Sequence, residues 1–178
     1  MRTLLASIVA IAVGAAGDAR AQTDPLAAWA GLWQGSCELA PPYLGASEFA
    51  ASLKVEAAMG GVYTWQLTYE ASGQMPRAVR HYEMVPVDAP KGHFALDEKN
   101  GLMLDTFVAG RAIHTFFTVS GLRIPGLYLL ISDDELLLSL PSFEQMPARN
   151  TCMTGNATLC TESYRLKLAQ SCRLRRTR

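Results

Sequence analysis

Residues 29–38 read Trp29-Ala30-Gly31-Leu32-Trp33-Gln34-Gly35-Ser36-Cys37-Glu38, and the interpretation of the whole chain starts from this stretch. One glycine stands two residues before Trp33 and another stands two residues after it. Residues without a Cβ on both sides of a large ring allow another strand to approach closely. The stretch is therefore predicted to be the first strand of a sheet, in which Gly31 and a buried Trp33 are structural residues.

The segment before this strand has the pattern of a secretory signal peptide. Arg2 gives it a positive start, residues 4–16 are apolar or small, and Ala19-Arg20-Ala21 is a small-x-small cleavage site. The apolar run is shorter than the roughly 20 residues that span a bilayer, so no membrane span is expected. We predict that residues 1–21 are removed and that residues 22–178 form a single domain in the periplasm or outside the cell.

Composition narrows the classes of function. Removal of residues 1–21 takes away Arg2, Arg20 and Asp18, so the net charge changes from +0 to −1, and such a chain has no field that attracts nucleic acid. All 4 cysteines lie in the exported part, and an even number there indicates disulfides, for which three pairings exist. No Cys-x-x-Cys spacing occurs, which argues against a zinc site.

Most of the remaining chain alternates between strand-like segments and short turns. Leu53 and Val55 alternate with charged residues, and residues 63–69 alternate between large apolar and polar side chains. A three-residue loop at Met59-Gly60-Gly61 would place Val55 opposite Trp65. A two-residue turn would pair polar with apolar residues, so the longer loop is predicted.

Prolines and charge runs are interpreted as interruptions of this pattern. Pro41 and Pro42 are expected to end the first strand and to begin a loop that reaches Ala51, because proline cannot donate to a ladder. Residues 141–148 contain two further prolines and are expected to be irregular. The basic residues 173–178 are expected to form a solvated tail.

The segments together predict an all-β fold. Nine or ten strands joined by short turns, without a sustained helical period, favour an antiparallel up-and-down β-barrel of eight to ten strands. A long antiparallel sheet tends to close, since closure removes its exposed edges. A two-sheet sandwich is the alternative.

The first strand also carries a family resemblance. Gly31-Leu32-Trp33 resembles the Gly-x-Trp signature of the lipocalin-like, or calycin, β-barrel proteins. The resemblance implies an interior that holds a small apolar molecule, and a tryptophan that closes one end beneath an arginine near the last strand. Arg165 or Arg173 would supply that arginine. Extended to Gly35, the stretch is similar to the opening of the nitrobindin-like barrels, which bind haem through a late histidine. The last histidine here is His114, so this ligand does not carry over and no cofactor is predicted.

A closed barrel makes the first and last strands neighbours, and this predicts the disulfides. Cys37 ends the first strand and Cys172 follows the last clear one, so these two are expected to pair. Cys152 and Cys160 flank a hairpin tip and are expected to form the second bridge.

The predicted ligand is a small hydrophobic molecule, with an acidic end as an option. The most aromatic period-two face of the chain is expected to point inward. If Arg80 also points inward, it is the polar group that holds an acid; the alternative is Arg80 on the surface with its stem over Tyr82. The predicted ligand-binding residues are Tyr63, Trp65, Leu67, Tyr69, Arg80, Tyr82 and Phe117. The alternative is a structural or interaction protein, in which the same rings fill the barrel as core.

An enzyme is the less favoured third reading. A two-residue turn at Ala109-Gly110 would place Asp105 opposite His114, and a carboxylate that orients a histidine is half of a catalytic arrangement. No nucleophile motif accompanies the pair, so no catalytic residue is assigned.

A metal site is also weighed on one hairpin. Four side chains of suitable type share faces of two successive strands: His81, Glu83, His93 and Asp97. A polar outer face explains them as well, and we predict no metal.

Overall fold

The computed structural model describes residues 24–177. The predicted signal peptide, residues 1–21, lies outside this range. Three short 3₁₀ turns occur in the described part, at Ala27–Trp29, Met59–Gly61 and Ala89–Lys91. None of the helices between residues 24 and 177 has the length and apolar character needed to cross a membrane.

The rest of the described chain is dominated by one antiparallel 11-stranded sheet. Its strands are β1 (Gly31–Tyr43), β2 (Ala46–Ala57), β3 (Tyr63–Tyr69), β4 (Ala78–Asp88), β5 (His93–Asp97), β6 (Met103–Ala109), β7 (Ala112–Val119), β8 (Leu122–Leu130), β9 (Glu135–Ser139), β10 (Ser142–Met153) and β11 (Asn156–Arg176).

The sheet closes into a barrel because β1 pairs with β11. Strands β1 to β8 are neighbours in chain order. Strands β9 and β10 both pair with β8 and with β11, and two residues separate them, so together they fill one position in the barrel. The result is a closed antiparallel 10-strand barrel with up-and-down connectivity, which confirms the predicted fold class.

The two ends of the barrel differ. We call one the tryptophan end: it carries the turn Ala27–Trp29 and the β2–β3, β4–β5, β6–β7 and β8–β9 connections. We call the other the ribbon end, because β10 and β11 extend beyond the barrel there. From Pro147 onward, β10 pairs with β11 alone among the described strands, and residues 147–164 form a two-stranded ribbon.

Trp33 organises the tryptophan end. Its side chain is fully buried, and its indole nitrogen donates a hydrogen bond of 2.9 Å to the Trp29 carbonyl. The guanidinium of Arg176 lies 4.1 Å from the centre of the Trp33 ring. The same guanidinium donates to the carbonyl oxygens of Ala28, at 2.7 Å, and Ala30. Arg176 therefore fixes the N-terminal turn over the ring.

This contact corrects the sequence prediction, which assigned the arginine to Arg165 or Arg173. Arg176 is opposite Trp33 in the β1–β11 register, whereas Arg173 is opposite Ser36 and bonds Glu135 on the outer face. The flanking glycine has the predicted role, since a Cβ at Gly35 would lie 2.0 Å from the Arg173 carbonyl oxygen.

The predicted β2–β3 register is confirmed. The loop is Met59–Gly61, and Val55 lies opposite Trp65. Both glycines of the loop have positive φ, 72° and 75°, which a residue with a Cβ rarely adopts. A one-residue slip would move every aromatic residue of β3 to the outer face, so the loop length determines which face is buried.

The prolines interrupt the ladder less than predicted. β1 continues through Pro41 and Pro42 to Tyr43, and residues 142–153 form β10, so the predicted loop and the predicted irregular segment are both wrong. The ladder of β1 has no partner for Pro41 or Pro42 on either side, and Pro147 lies at a register shift. Proline is tolerated at such positions because no ladder N–H is required there.

The basic tail is also part of the sheet. β11 extends to Arg176, so the prediction of a solvated tail over residues 173–178 is wrong up to that residue. The alternation of this strand places Cys172 and Leu174 in the core, both fully buried, while Arg173 and Arg175 point outward.

Both disulfides join the predicted partners. The buried disulfide, Cys37–Cys172, links the first strand to the last inside the barrel, across 135 residues of sequence. The ribbon disulfide, Cys152–Cys160, links β10 to β11 near the tip of the ribbon, across 8 residues. The first bridge therefore crosses the seam that closes the barrel, and the second stabilises a hairpin that has no other neighbour among the described strands.

Candidate functional site

The aromatic face of β3 points into the barrel, as predicted. Tyr63, Trp65 and Leu67 are each at most 4% exposed, and their cross-strand partners on β2 are also apolar. The opposite face is less exposed than predicted, because Thr68 is buried. The direction of the face follows from the alternation of side chains along a strand.

Trp65 lies in the middle of the aromatic core. The centre of its ring is 6.0 Å from that of Trp29 and 5.4 Å from that of Tyr128, and the second pair meets edge to face. Aromatic pairs at such distances are favourable beyond the area they bury. Trp65 therefore already has neighbours on the faces that a ligand would use.

A second group of inward residues lies between this core and the ribbon end. Tyr82 is opposite Trp65 on β4, and Arg80 is opposite Leu67, so both share the inward face. Tyr69, at the end of β3, accepts a 2.9 Å hydrogen bond from the side-chain amide of Gln170 on β11. We call Tyr69, Arg80, Tyr82, Tyr128 and Gln170 the ribbon-end cluster.

The three tyrosines of the ribbon-end cluster stay protonated well above neutral pH. Burial raises the pKa of Tyr69 to about 12, although the bond from Gln170 opposes the shift. Burial also raises the pKa of Tyr82, and the charge of Glu98 adds to the effect. For Tyr128, burial again is the main reason why the pKa is raised. The cluster therefore presents neutral hydroxyl groups, which can donate hydrogen bonds to an anion.

Arg80 is the cation of this cluster. Its side chain is exposed although its register position is inward, which places it where the interior meets solvent. No carboxylate among residues 24–177 forms an ion pair with it. Its charge lowers the pKa of both Tyr69 and Tyr82, which indicates that the three groups lie near one another. An unpaired guanidinium beside tyrosine hydroxyls is suited to binding a carboxylate.

Not all predicted site residues lie together. Tyr63 belongs to the tryptophan end, where its hydroxyl donates a 2.7 Å bond to Asp24. Phe117 lies on the inward face of β7, which also carries the buried Ile113, but no ring contact joins it to the cluster. The predicted set thus divides into core residues and ribbon-end residues.

Two further members of the cluster, Tyr128 and Gln170, were not predicted from the sequence. Tyr128 stands in an apolar run without clear alternation, and its inward direction follows from its pairing with Ile113. Gln170 shares a face with Cys172, two residues further along β11. The predicted disulfide was therefore a signal that could have identified it, because the inward direction of Cys172 fixes that of Gln170.

Three of the four residues that were weighed as metal ligands, Glu83, His93 and Asp97, bond other side chains. Lys99 donates a 2.6 Å bond to Glu83 and lies 3.1 Å from Asp97, so an ammonium occupies the space between the two carboxylates. The backbone N–H of Lys99 and then its ammonium lower the pKa of Asp97. Within the described range no group of three metal-ligating side chains occurs. The arrangement is a surface ion-pair network.

The proposed pair of Asp105 with His114 does not form. The β6–β7 turn lies one residue later than predicted, at Gly110-Arg111, and this places His114 opposite Phe107. Asp105 instead bonds His93 at 2.7 Å, and the His93 ring stacks on Phe107 with centres 4.7 Å apart. The prediction was wrong because the small residues Ala109 and Gly110 allow the two-residue turn to begin at either of them.

Comparison with known proteins finds similarity in fold alone. No protein-family model matches this chain, and no curated protein matches it. Among solved structures, a protein of unknown function from the DUF3598 family of Nostoc punctiforme PCC 73102 is similar, with a TM-score of 0.53 and 10% identity. The match covers 84% of this chain and 48% of that chain, so this chain spans about half the length of its structural neighbour. At this identity the likeness concerns the fold alone.

Proposed function

We propose that this protein is an exported, lipocalin-like barrel that binds a small amphipathic acid at its ribbon end. Arg80 carries this proposal, because it is a cation on the inward face of the barrel with no ion pair among the described residues. The carboxylate of the ligand accepts hydrogen bonds from Arg80 and from the hydroxyls of Tyr69 and Tyr82. The apolar part of the ligand lies against the side chains around Phe117.

The depth of the site follows from the packing of Trp65. Because Trp29 and Tyr128 already contact its ring, the ligand of this proposal lies above Trp65, toward the ribbon end, and does not extend along the barrel axis. Leu67 and Tyr63, both buried, then belong to the floor and not to the ligand contacts. The proposal therefore favours short ligands over elongated ones.

A titration with decanoate and decanol tests the site. Both share a ten-carbon chain, and only decanoate presents an anion to Arg80. Trp fluorescence follows binding, with Arg77→Gln as the matched control, since Arg77 is an exposed loop residue that bonds Glu70. We expect Arg80→Gln to weaken decanoate binding by about tenfold or more, which is the loss of one charge-assisted hydrogen bond.

Two results of this titration would contradict the proposal. Equal affinities of Arg80→Gln and Arg77→Gln for decanoate would remove Arg80 from the site. Absence of binding by decanoate, retinoic acid and protoporphyrin below about 1 mM, a level worth only about 4 kcal/mol, would contradict ligand binding altogether.

A second function is favoured by a separate observation, the edge-to-face packing of Trp65 with Tyr128 inside the barrel. It supports a structural or interaction protein whose interior is filled by its own side chains. Native mass spectrometry distinguishes the two functions, because a ligand carrier is expected to retain a bound molecule and a filled barrel is not.

Export is part of the proposal. The two disulfides support an oxidising compartment, such as the periplasm or the extracellular space. N-terminal sequencing of the mature protein is expected to give Gln22 as the first residue. A chain that begins at Met1 and stays in the reducing cytoplasm would contradict it.

A further inference from the structure

The outer surface of the barrel has a concave aromatic groove beside the base of the ribbon. Phe116 on β7 and Pro125 on β8 are opposite each other and point outward. Phe143 on β10 is opposite Arg123 of β8, and Tyr164 on β11 completes the lining. The groove has a volume of about 250 Å³, and Phe116 is 63% exposed. We call it the ribbon groove.

Arg123 gives the ribbon groove a charge. Its guanidinium carbon lies 4.0 Å from the centre of the Tyr164 ring. A hydrogen bond from Arg123 and its charge both act to lower the pKa of the Tyr164 hydroxyl. No carboxylate among residues 24–177 forms an ion pair with this guanidinium. The nearest acid along β11, Glu162, accepts the hydroxyl of Tyr164. Arg123 is partly exposed, so it presents a cation without an ion pair at the groove.

We propose that the ribbon groove is a second binding site, which takes a small planar aromatic carboxylate. The carboxylate accepts hydrogen bonds from the guanidinium of Arg123, because a guanidinium fork matches a planar anion. The ring of the ligand packs against Phe116 and Phe143. The stacking of Arg123 on Tyr164 fixes the plane of the guanidinium, so the ligand meets the cation and the aromatic walls of the groove together.

The size of the groove limits the ligand. Its volume lies just below the roughly 300–1,000 Å³ of sites that enclose drug-sized molecules, so a ligand of one or two rings fits. This site is independent of the ribbon-end cluster, because its lining residues point outward and those of the cluster point inward. The two sites are therefore tested separately with Arg80 and Arg123.

The experiment uses 2-naphthoate as the probe and 2-naphthylmethanol as its neutral counterpart. Two-dimensional ¹H–¹⁵N NMR of the full-length mature protein records the Nε–H signal of Arg123 directly. We expect 2-naphthoate to shift this signal with a Kd of about 1 mM or below, consistent with a ligand of that size, and 2-naphthylmethanol to bind at least about tenfold more weakly.

Variants separate the charge from the walls and from the fold. Arg123→Gln is expected to raise the Kd of 2-naphthoate by about tenfold or more. Arg123→Lys keeps the charge without the planar fork and is expected to raise the Kd by a smaller factor. Phe116→Ser removes an exposed ring and is expected to weaken both probes with no change in the dispersion of the spectrum. Arg80→Gln is the control and is expected to leave naphthoate binding unchanged.

Three outcomes would overturn the proposal. One is an unchanged Kd in Arg123→Gln, and another is equal binding of the acid and the alcohol. The third is a set of shifts that centres on Arg80 and disappears in Arg80→Gln, which would assign the aromatic acid to the ribbon-end cluster instead.

Discussion

Replacement of Arg176 by methionine tests the closure of the tryptophan end. Methionine keeps an unbranched apolar stem but removes the guanidinium. The side chain then loses its stacking on Trp33, at 4.1 Å, and its bonds to the carbonyls of Ala28, Ala30 and Asp133. Arg175→Met is the matched control, because Arg175 is exposed and stands on the opposite face of the same strand.

The magnitude follows from the exposure of each partner. A cation stacked on tryptophan is worth about 0.5–2 kcal/mol. Ala28 and Asp133 are exposed, so water replaces the guanidinium at their carbonyls and the loss there is small. Ala30 is half-buried, and an unsatisfied carbonyl there costs about 1–3 kcal/mol. We therefore expect Arg176→Met to lower the free energy of unfolding by about 1.5–5 kcal/mol.

Urea unfolding followed by far-ultraviolet circular dichroism, with both disulfides intact, measures the difference. Arg175→Met is expected to stay within about 0.5 kcal/mol of the wild type, as is usual for exposed positions. If both variants unfold at the same urea concentration, the arginine does not stabilise this end and the reasoning fails. A loss confined to Arg176→Met supports it.

Three further predictions concern the core, the bridges and the tyrosines. Trp33→Ala is expected to cost about 3–5 kcal/mol of unfolding free energy, because it leaves a cavity in the core; an unchanged melting temperature would contradict this. Alanine in place of both cysteines of the buried disulfide should lower the free energy of unfolding by about 5 kcal/mol at most, and the same change at the ribbon disulfide by about half as much. The difference arises because the bonded cysteines are 135 residues apart in the first bridge and 8 apart in the second. Equal losses in urea unfolding would contradict the dependence on loop length. Burial raises the pKa of Tyr69 from 10.0 to about 12. Between pH 10 and 12 the unfolded chain therefore releases a proton that the folded chain retains. The free energy of unfolding is expected to fall as the pH rises through this window. Unfolding measured across that range should fall less steeply in Tyr69→Phe, and an identical slope would show that Tyr69 is accessible.

The buried face of β3 and the length of the β2–β3 loop could be predicted because both depend on residues that are neighbours in sequence. The alternation over residues 63–69 gave the buried face of β3, and the two glycines after Met59 gave the loop length that pairs Val55 with Trp65. The Cys152–Cys160 bridge followed from the hairpin tip that its cysteines flank, and the Cys37–Cys172 bridge followed from the assumption that the barrel closes. That assumption also contained the position of Arg176, because in an antiparallel pair a bridge from Cys37 to Cys172 places Trp33 opposite Arg176.

The sequence by itself determined the all-β class, the alternation of the first strands and the Cys152–Cys160 bridge, since turn residues and period-two patterns act over a few positions. The Cys37–Cys172 bridge needed the further assumption that the sheet closes. The tertiary structure alone decided that Arg80 shares the inward face of β4, that Tyr128 meets Trp65, and that Asp105 bonds His93. The contact of Tyr128 with Trp65 joins strands distant in sequence, whereas the bond of Asp105 to His93 depends on the register of β5 against β6. Both faces of β6 to β8 carry apolar residues, so no local pattern specifies which side is buried. Only closure of the sheet fixes that choice, because a closed barrel gives every strand one inside and two neighbours.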